Sequence, residues 1–221
     1  MIVTIDGPAG TGKSVVARAV AAELGYAFLD TGAMYRAIGL EAVRREADLA
    51  DPRELAWVAR HCRIDFDWGT DPPGVVLNGE PVGGRLRGKA ATDAASHVAV
   101  VPEIRAGLVE QQQRIGREKG ELVTEGRDQG SVVFPDAGAK FFLDADPAVR
   151  AQRRADQLRA RGEVVDQQEI QRDMEQRDER DRNRDVAPLR PAEGAEVVDT
   201  TDMTQEQVIR HIVDGVRSQQ R

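Results

Sequence analysis

The chain has 221 residues, 40% of them hydrophobic and 31% charged, which suits a single globular α/β domain with a proper core and small inserts. A net charge of −7 argues against non-specific attachment to nucleic acid or an anionic membrane, and no apolar run approaches the eighteen residues of a spanning helix. Cys62 stands alone, so no intrachain disulfide can form; with no basic-then-apolar leader before Ile2, a reducing, cytoplasmic setting is expected.

Ile2-Val3-Thr4-Ile5 reads as a buried strand, and Gly7-Pro8-Ala9-Gly10-Thr11-Gly12-Lys13-Ser14 follows it as a full match to the phosphate-binding pattern G-x-x-x-x-G-K-[ST]. Chance produces that pattern in a chain of this length on the order of 1% of the time, and its place between strand and helix lowers the figure further. The glycines let several N–H groups converge on one oxyanion, and a helix starting at about Gly12 adds its dipole and unpaired donors. Lys13 is placed to reach the β- and γ-phosphates and Ser14 to ligate Mg²⁺, so the chain is expected to bind a nucleoside triphosphate through residues Gly7 to Ser14.

The helix runs from Gly12 to Leu24 and is ended by Gly25. Tyr26–Leu29 is a second strand, followed by Asp30-Thr31-Gly32 and a helix from about Ala33 to Ala47; a further helix spans 51–61, with Asp51 as cap and Pro52 in the first turn. The texture then changes. Residues 63–68 alternate with period two, 71–74 form a turn, Val75-Val76-Leu77 is a strand, and Asn78-Gly79 is a favoured hairpin turn. Residues about 63–87 therefore form a small antiparallel element outside the parallel core. Helices are expected at 89–98 and 102–118, and strands at 121–125 and 140–144. Residues 146–184 are charge-dense and helix-compatible with a break at Arg161-Gly162; Glu196–Asp199 is the last strand, and Thr204-Gln205-Glu206-Gln207 opens the final helix as a capping box.

Strand, loop and helix recurring five times indicate a doubly wound α/β fold: a five-stranded parallel sheet with helices on both faces. Ligands in such sheets collect beyond the carboxyl ends of the strands, where the phosphate loop, Asp30-Thr31, Gly126-Arg127-Asp128 and Asp144 all fall. Only Lys13, Lys89, Lys119 and Lys140 are lysines among 31 basic residues; the rest are arginines, whose planar forks suit phosphate. Arg177, Asp181 and Arg184 stand at i, i+4 and i+7, so one helical face offers two guanidiniums around a carboxylate. Upstream, Arg150, Arg153, Arg154, Arg159 and Arg161 suit a mobile lid that excludes water from a triphosphate. His61, His97 and His211 have no metal spacing with one another or with Cys62, and no Ser–His–Asp arrangement is evident.

GPAGTGKS, LDTGAMYRA, EGRDQGSVVFPDA, KFFLDAD and RDERDRNRDVAPL, in this order, resemble the bacterial cytidylate kinases over nearly the whole chain. The resemblance implies a P-loop fold with a core of 1–60, 100–149 and 166–221, a monophosphate-binding insert at about 61–99 and a helical lid at about 150–165. It implies ATP-dependent phosphorylation of CMP and dCMP with Mg²⁺; a monomer with no nucleic-acid or membrane partner is expected. Thr31 (commonly serine in the family), Arg36, Arg127 and Arg184 would hold the cytidylate phosphate; Ser96, Arg105 and Asp128 would read cytosine; Arg177 and Asp181 would meet the sugar. Lys13, Arg127 and Arg184 would carry the transfer, with Arg154 of the lid on ATP. Val15 stands where many members have a second hydroxyl, leaving Ser14 as the one hydroxyl for magnesium. Kinases of UMP, dTMP, shikimate or gluconate, and a regulatory ATPase without an acceptor, remain the alternatives.

Overall fold

The computed structural model describes residues 1–160 and 162–220. Strand β1 (Ile2–Asp6) lies at the middle of a five-stranded sheet of order β2-β6-β1-β7-β8, where β2 is Ala27–Asp30, β6 Leu122–Gly126, β7 Ala139–Asp144 and β8 Glu196–Asp199. β1 pairs in parallel with β6, from Ile2 opposite Leu122 to Asp6 opposite Gly126, and with β7, from Val3 opposite Ala139 to Asp6 opposite Phe142. Neighbours on both edges and cover on both faces leave no exposed side for β1: Val3, Thr4 and Ile5 are all at 0% exposure, and only Thr4 and the terminal Asp6 interrupt its apolar residues. The register brings the carboxyl ends of β1 and β6 to the same edge, at the point where the strand order reverses.

The chain divides into two compact units, one of residues 1–27 with 119–221 and the other of residues 28–118. In the first, helix α1 (Lys13–Leu24) packs against α8 (Gln205–Gln219), which buries Val208, Ile209, Ile212, Val213 and Val216. The expected capping box opens α8: Thr204 Oγ1 accepts from Gln207 N at 3.2 Å, and Gln207 Oε1 accepts from Thr204 N at 2.8 Å. Helices α6 (Pro147–Arg159) and α7 (Gln167–Asn183) pack together on the two sides of the expected break.

In the second unit, α2 (Thr31–Arg44) starts two residues earlier than its apolar spacing predicts. The reason is a cap: Asp30 Oδ1 accepts from Ala33 N at 2.8 Å. α2 packs against α4 (Lys89–Val98) across Gly39, where a Cβ would sit 2.9 Å from Ala95 N and 3.0 Å from Ala91 O. α3 (Pro52–Arg60) is capped by Asp51 as expected, and α5 (Pro102–Lys119) runs on to the end of the unit. The antiparallel element forms its own sheet, β3 (Ile64–Asp67), β4 (Gly74–Leu77) and β5 (Glu80–Pro81). Asn78 and Gly79, at φ of 52° and 86°, make the two-residue turn. The two-residue β5 was too short to register as a strand in the sequence.

Candidate functional site

β1 ends directly in the phosphate loop. Gly7, Gly10 and Gly12 have φ of 146°, 78° and 87°, and Gly12 caps α1 in the left-handed region. Gly7 is required twice over, since a Cβ there would lie 2.1 Å from Leu143 O. Lys13 is folded back over the loop: its Nζ donates to Pro8 O at 2.6 Å and lies 3.5 Å from Thr11 Oγ1. Burial, then the neighbouring Arg127 cation, lowers the Lys13 ammonium from its usual 10.5 to about 7. The loop thus holds a desolvated amine whose charge an incoming anion would restore.

β6, beside β1, delivers the next groups. Ser14 Oγ donates to Glu125 Oε1 at 2.7 Å, so the hydroxyl expected on the metal is oriented by a buried carboxylate. Arg127 Nε donates to Asp181 Oδ2 at 2.8 Å. Burial opposes the charges on Arg127 and Asp181, but their mutual attraction and their other neighbours outweigh it; the guanidinium pKa is raised and the carboxyl lowered. Arg184 approaches Asp128 at 3.9 Å and Asp181 at 3.8 Å, and its Nε donates to Ala187 O at 2.5 Å. Lys13, Ser14, Arg127, Asp128, Asp181 and Arg184 therefore belong to one connected set with Glu125. α7 ends at Asn183, with Arg184 extended at ψ 140°, so the expected i, i+4, i+7 face is helical only through Asp181. Arg184 joins the cluster through the chain's turn, and Arg177 acts on Asp181 as one of the charges that lower its pKa.

The arginines expected on a mobile lid have different surroundings. Arg150 is buried against Asp178, and Arg153 donates to the carbonyls of Thr200 at 2.6 Å and of Thr201 and Met203 at 3.3 Å each. Neither is free to swing as a lid residue would. Arg159 pairs with Asp156 at the exposed end of α6, and Arg154 reaches Gln157 at 3.5 Å. Arg161 lies outside the described residues.

Within residues 28–118, Thr31 opens α2 and Arg36 donates to Asp30 Oδ2 at 2.8 Å. Ser96 lies on α4, its Oγ donating to Asp93 O at 2.7 Å. Arg105 is buried at the start of α5, with its guanidinium 5.8 Å from the Tyr35 ring centre and Nη1 donating to Ala99 O at 3.2 Å. Arg105 is thus buried over an aromatic ring, not exposed as a surface helix residue.

Three site residues were assigned no role from the sequence, although Glu125 and Asp178 fall inside its quoted motifs. Glu125 ends an apolar strand beside the loop, and that position was its available signal. Asp6 ends β1; its carboxylate accepts from Gln129 N at 2.9 Å and Gly130 N at 2.8 Å, and burial raises its pKa from 3.8 to about 7. Those two bonds anchor the start of a π-helical turn over Gln129–Val133, directly after Arg127-Asp128. Asp178 was submerged in a run of charges.

Ser14 and Glu125 offer the hard oxygens that suit Mg²⁺, a cation held by few protein ligands alongside substrate phosphates. Among the described residues no group of three or more His, Cys, Asp or Glu side chains could hold a metal, and no helix is long and apolar enough to cross a membrane.

A glycine-rich phosphate loop at the switch point of a five-stranded parallel sheet, followed by a buried Lys–Arg–carboxylate cluster, defines a P-loop kinase fold. The family model described as cytidylate kinase matches residues 3–218, and the chain belongs to that family. It is 45% identical over 217 residues to the cytidylate kinase of Rhodococcus opacus (strain B4), covering 96% of this chain and 93% of that one. It is likewise 45% identical over 222 residues to the cytidylate kinase of Pelotomaculum thermopropionicum, covering 99% and 97%. A bifunctional pantoate ligase/cytidylate kinase of Synechococcus is 46% identical over 215 residues; these cover 96% of this chain but 40% of that longer protein. Among solved structures, an uncharacterized protein from Eubacterium ventriosum has a TM-score of 0.54 at 14% identity, covering 99% and 98%, which is a likeness of fold alone.

Proposed function

We propose that the chain transfers the γ-phosphoryl group of ATP to CMP and dCMP, yielding CDP or dCDP and ADP, as a cytoplasmic monomer using Mg²⁺. The observation that carries this reading is the second cationic cluster, Arg127 and Arg184 around Asp181 and Asp128, next in the chain's architecture to a complete phosphate loop.

Residues 7–15 hold the triphosphate, with Arg154 of the lid segment 150–165 adding a donor cation. Lys13 moves from Pro8 O to the β- and γ-phosphates, and there neutralises the charge that develops as the bond between them breaks. Mg²⁺, when bound, screens the phosphates; Ser14 holds it, and Glu125 fixes the direction of that hydroxyl. The attacking oxygen belongs to a monophosphate whose second pKa is about 6, so it is ionised near neutral pH and needs no general base. Thr31, Arg36, Arg127 and Arg184 hold that phosphate, and Asp181 keeps Arg127 charged and aimed. Ser96, Arg105 and Asp128 read cytosine, Asp128 by accepting from the 4-amino group, while Arg177 and Asp181 meet the sugar. Residues 61–99 form the acceptor-binding insert.

A coupled spectrophotometric assay with ATP, Mg²⁺ and a panel of CMP, dCMP, UMP, dTMP, shikimate and gluconate tests the proposal. CMP and dCMP give the highest kcat/KM; preference for an acceptor without cytosine, or ATP hydrolysis indifferent to every acceptor, refutes it.

A further inference from the structure

Ala9 is the third residue of the phosphate loop, and both of its backbone polar groups are engaged from outside the loop. Its N–H donates to Asp178 Oδ1 at 2.8 Å, and its C=O accepts from Arg150 Nη1 at 2.8 Å. The same Arg150 nitrogen donates to Asp178 Oδ2, and Arg150 Nε donates to Ala145 O at 3.1 Å. The two side chains are 4% and 1% exposed, so the loop, α6 and α7 meet at a fully buried ion pair. Gly10 closes the contact, since a Cβ there would lie 2.3 Å from Met174 Cε and 3.2 Å from Arg150 Cβ.

The consequence follows from peptide geometry. In a planar trans peptide the N–H and the C=O point in opposite directions. Aiming Ala9 N–H at Asp178 therefore turns the Pro8 carbonyl the other way, where it accepts Lys13 Nζ at 2.6 Å. Aiming Ala9 C=O at Arg150 likewise sends the Gly10 N–H away from the ion pair. Two successive peptide planes of the loop are thus set by one carboxylate and one guanidinium. Stability alone does not account for the pair, because desolvation offsets most of what a buried ion pair gains and apolar side chains of equal volume serve as well. Apolar side chains cannot orient backbone dipoles. One turn further along α7, Asp181 aims Arg127, so a single helix orients the donor loop and a cation of the second cluster.

We propose that Asp178 and Arg150 are positioning residues for the donor triphosphate: through Ala9 and Gly10 they keep the phosphate loop in its anion-binding form, touching no substrate themselves. The proposal rests on the phosphotransferase reading above.

The test uses D178N, R150K and the double variant R150M/D178L. D178N keeps volume and an oxygen for Ala9 N–H but sets an NH₂ against the Arg150 fork; R150K keeps the charge without the fork. Each single variant is expected to raise KM for ATP about tenfold while leaving KM for CMP within about twofold, per folded molecule. The double variant strands no charge, so its Tm stays near that of the wild type while its KM for ATP remains raised. Wild-type KM for ATP in the double variant overturns the proposal, and so does a series in which activity falls only with the folded fraction. Displacement of a fluorescent ATP analogue, measured with no acceptor present, should weaken about tenfold in the same proteins. That readout stands even if CMP proves not to be the acceptor, which separates the two ideas.

Discussion

If Lys13 receives the triphosphate as proposed, its buried, lowered pKa makes ATP binding take up protons. With burial and the Arg127 cation lowering its pKa to about 7, most of the amine is expected to be neutral at pH 8. Each phosphate charge brought to about 4 Å is worth about 4 kcal/mol at an effective dielectric of about 20, or about three pKa units, enough to restore the ammonium fully. Binding of a non-hydrolysable ATP analogue with Mg²⁺ should therefore take up about 0.9 proton through Lys13 at pH 8, about 0.5 at pH 7 and about 0.1 at pH 6. At Asp6, raised to about 7 by burial, an added anion and the restored Lys13 ammonium act in opposite directions, so the uptake is assigned to Lys13. Titration calorimetry in buffers of different ionisation enthalpy reads the number directly. K13R, titrated to saturation, keeps its proton throughout and should lose the Lys13 portion. Wild-type uptake below about 0.2 proton at pH 8 would refute the reasoning. The same shifts set the sign for the ligand-free fold. Between about pH 7 and 10.5 the unfolded chain binds the extra proton at Lys13, so this group's contribution to stability rises with pH; between about pH 3.8 and 7 the folded chain binds it at Asp6, so that contribution falls.

Replacing Lys13 by Ala should lower kcat for CMP phosphorylation at least about 100-fold with Tm little changed, and substantial residual turnover in a steady-state assay rejects its assigned role. Asp128→Ala should reduce kcat/KM for CMP far more than it reduces thermal stability; equal losses by calorimetry and kinetics would make Asp128 a structural partner of Arg184 instead. Gly7→Ala forces a Cβ against Leu143 O at a φ of 146°, a cost of about 2 kcal/mol or more, so Tm should fall by about 4–8 °C; an unchanged melting curve contradicts that account of the loop.

Much of the fold and the geometry of the phosphate loop was legible in the chain because local backbone requirements write themselves into neighbouring residues. The phosphate loop needs positive φ at Gly7, Gly10 and Gly12, and only glycine supplies it cheaply. Asp51 and Thr204 cap helices three residues away or closer, and burial of β1 leaves Ile2, Val3 and Ile5 as a readable apolar run. The carboxylates that organise the site carry no such local mark. Asp6 acts on amides 123 and 124 positions away, Ser14 meets Glu125 across 111, and Asp178 takes the Ala9 N–H across 169. A single buried charge leaves no periodicity, and in α7 it hides among solvated ones. Arg150 was indistinguishable from Arg159 by composition; packing buried one beneath the phosphate loop and left the other in water. Residue order by itself determined where the glycine-rich loop forms, because its backbone angles depend on neighbours in the chain. Which charges aim the grip was decided only by tertiary structure, because burial brings together residues that sequence keeps far apart.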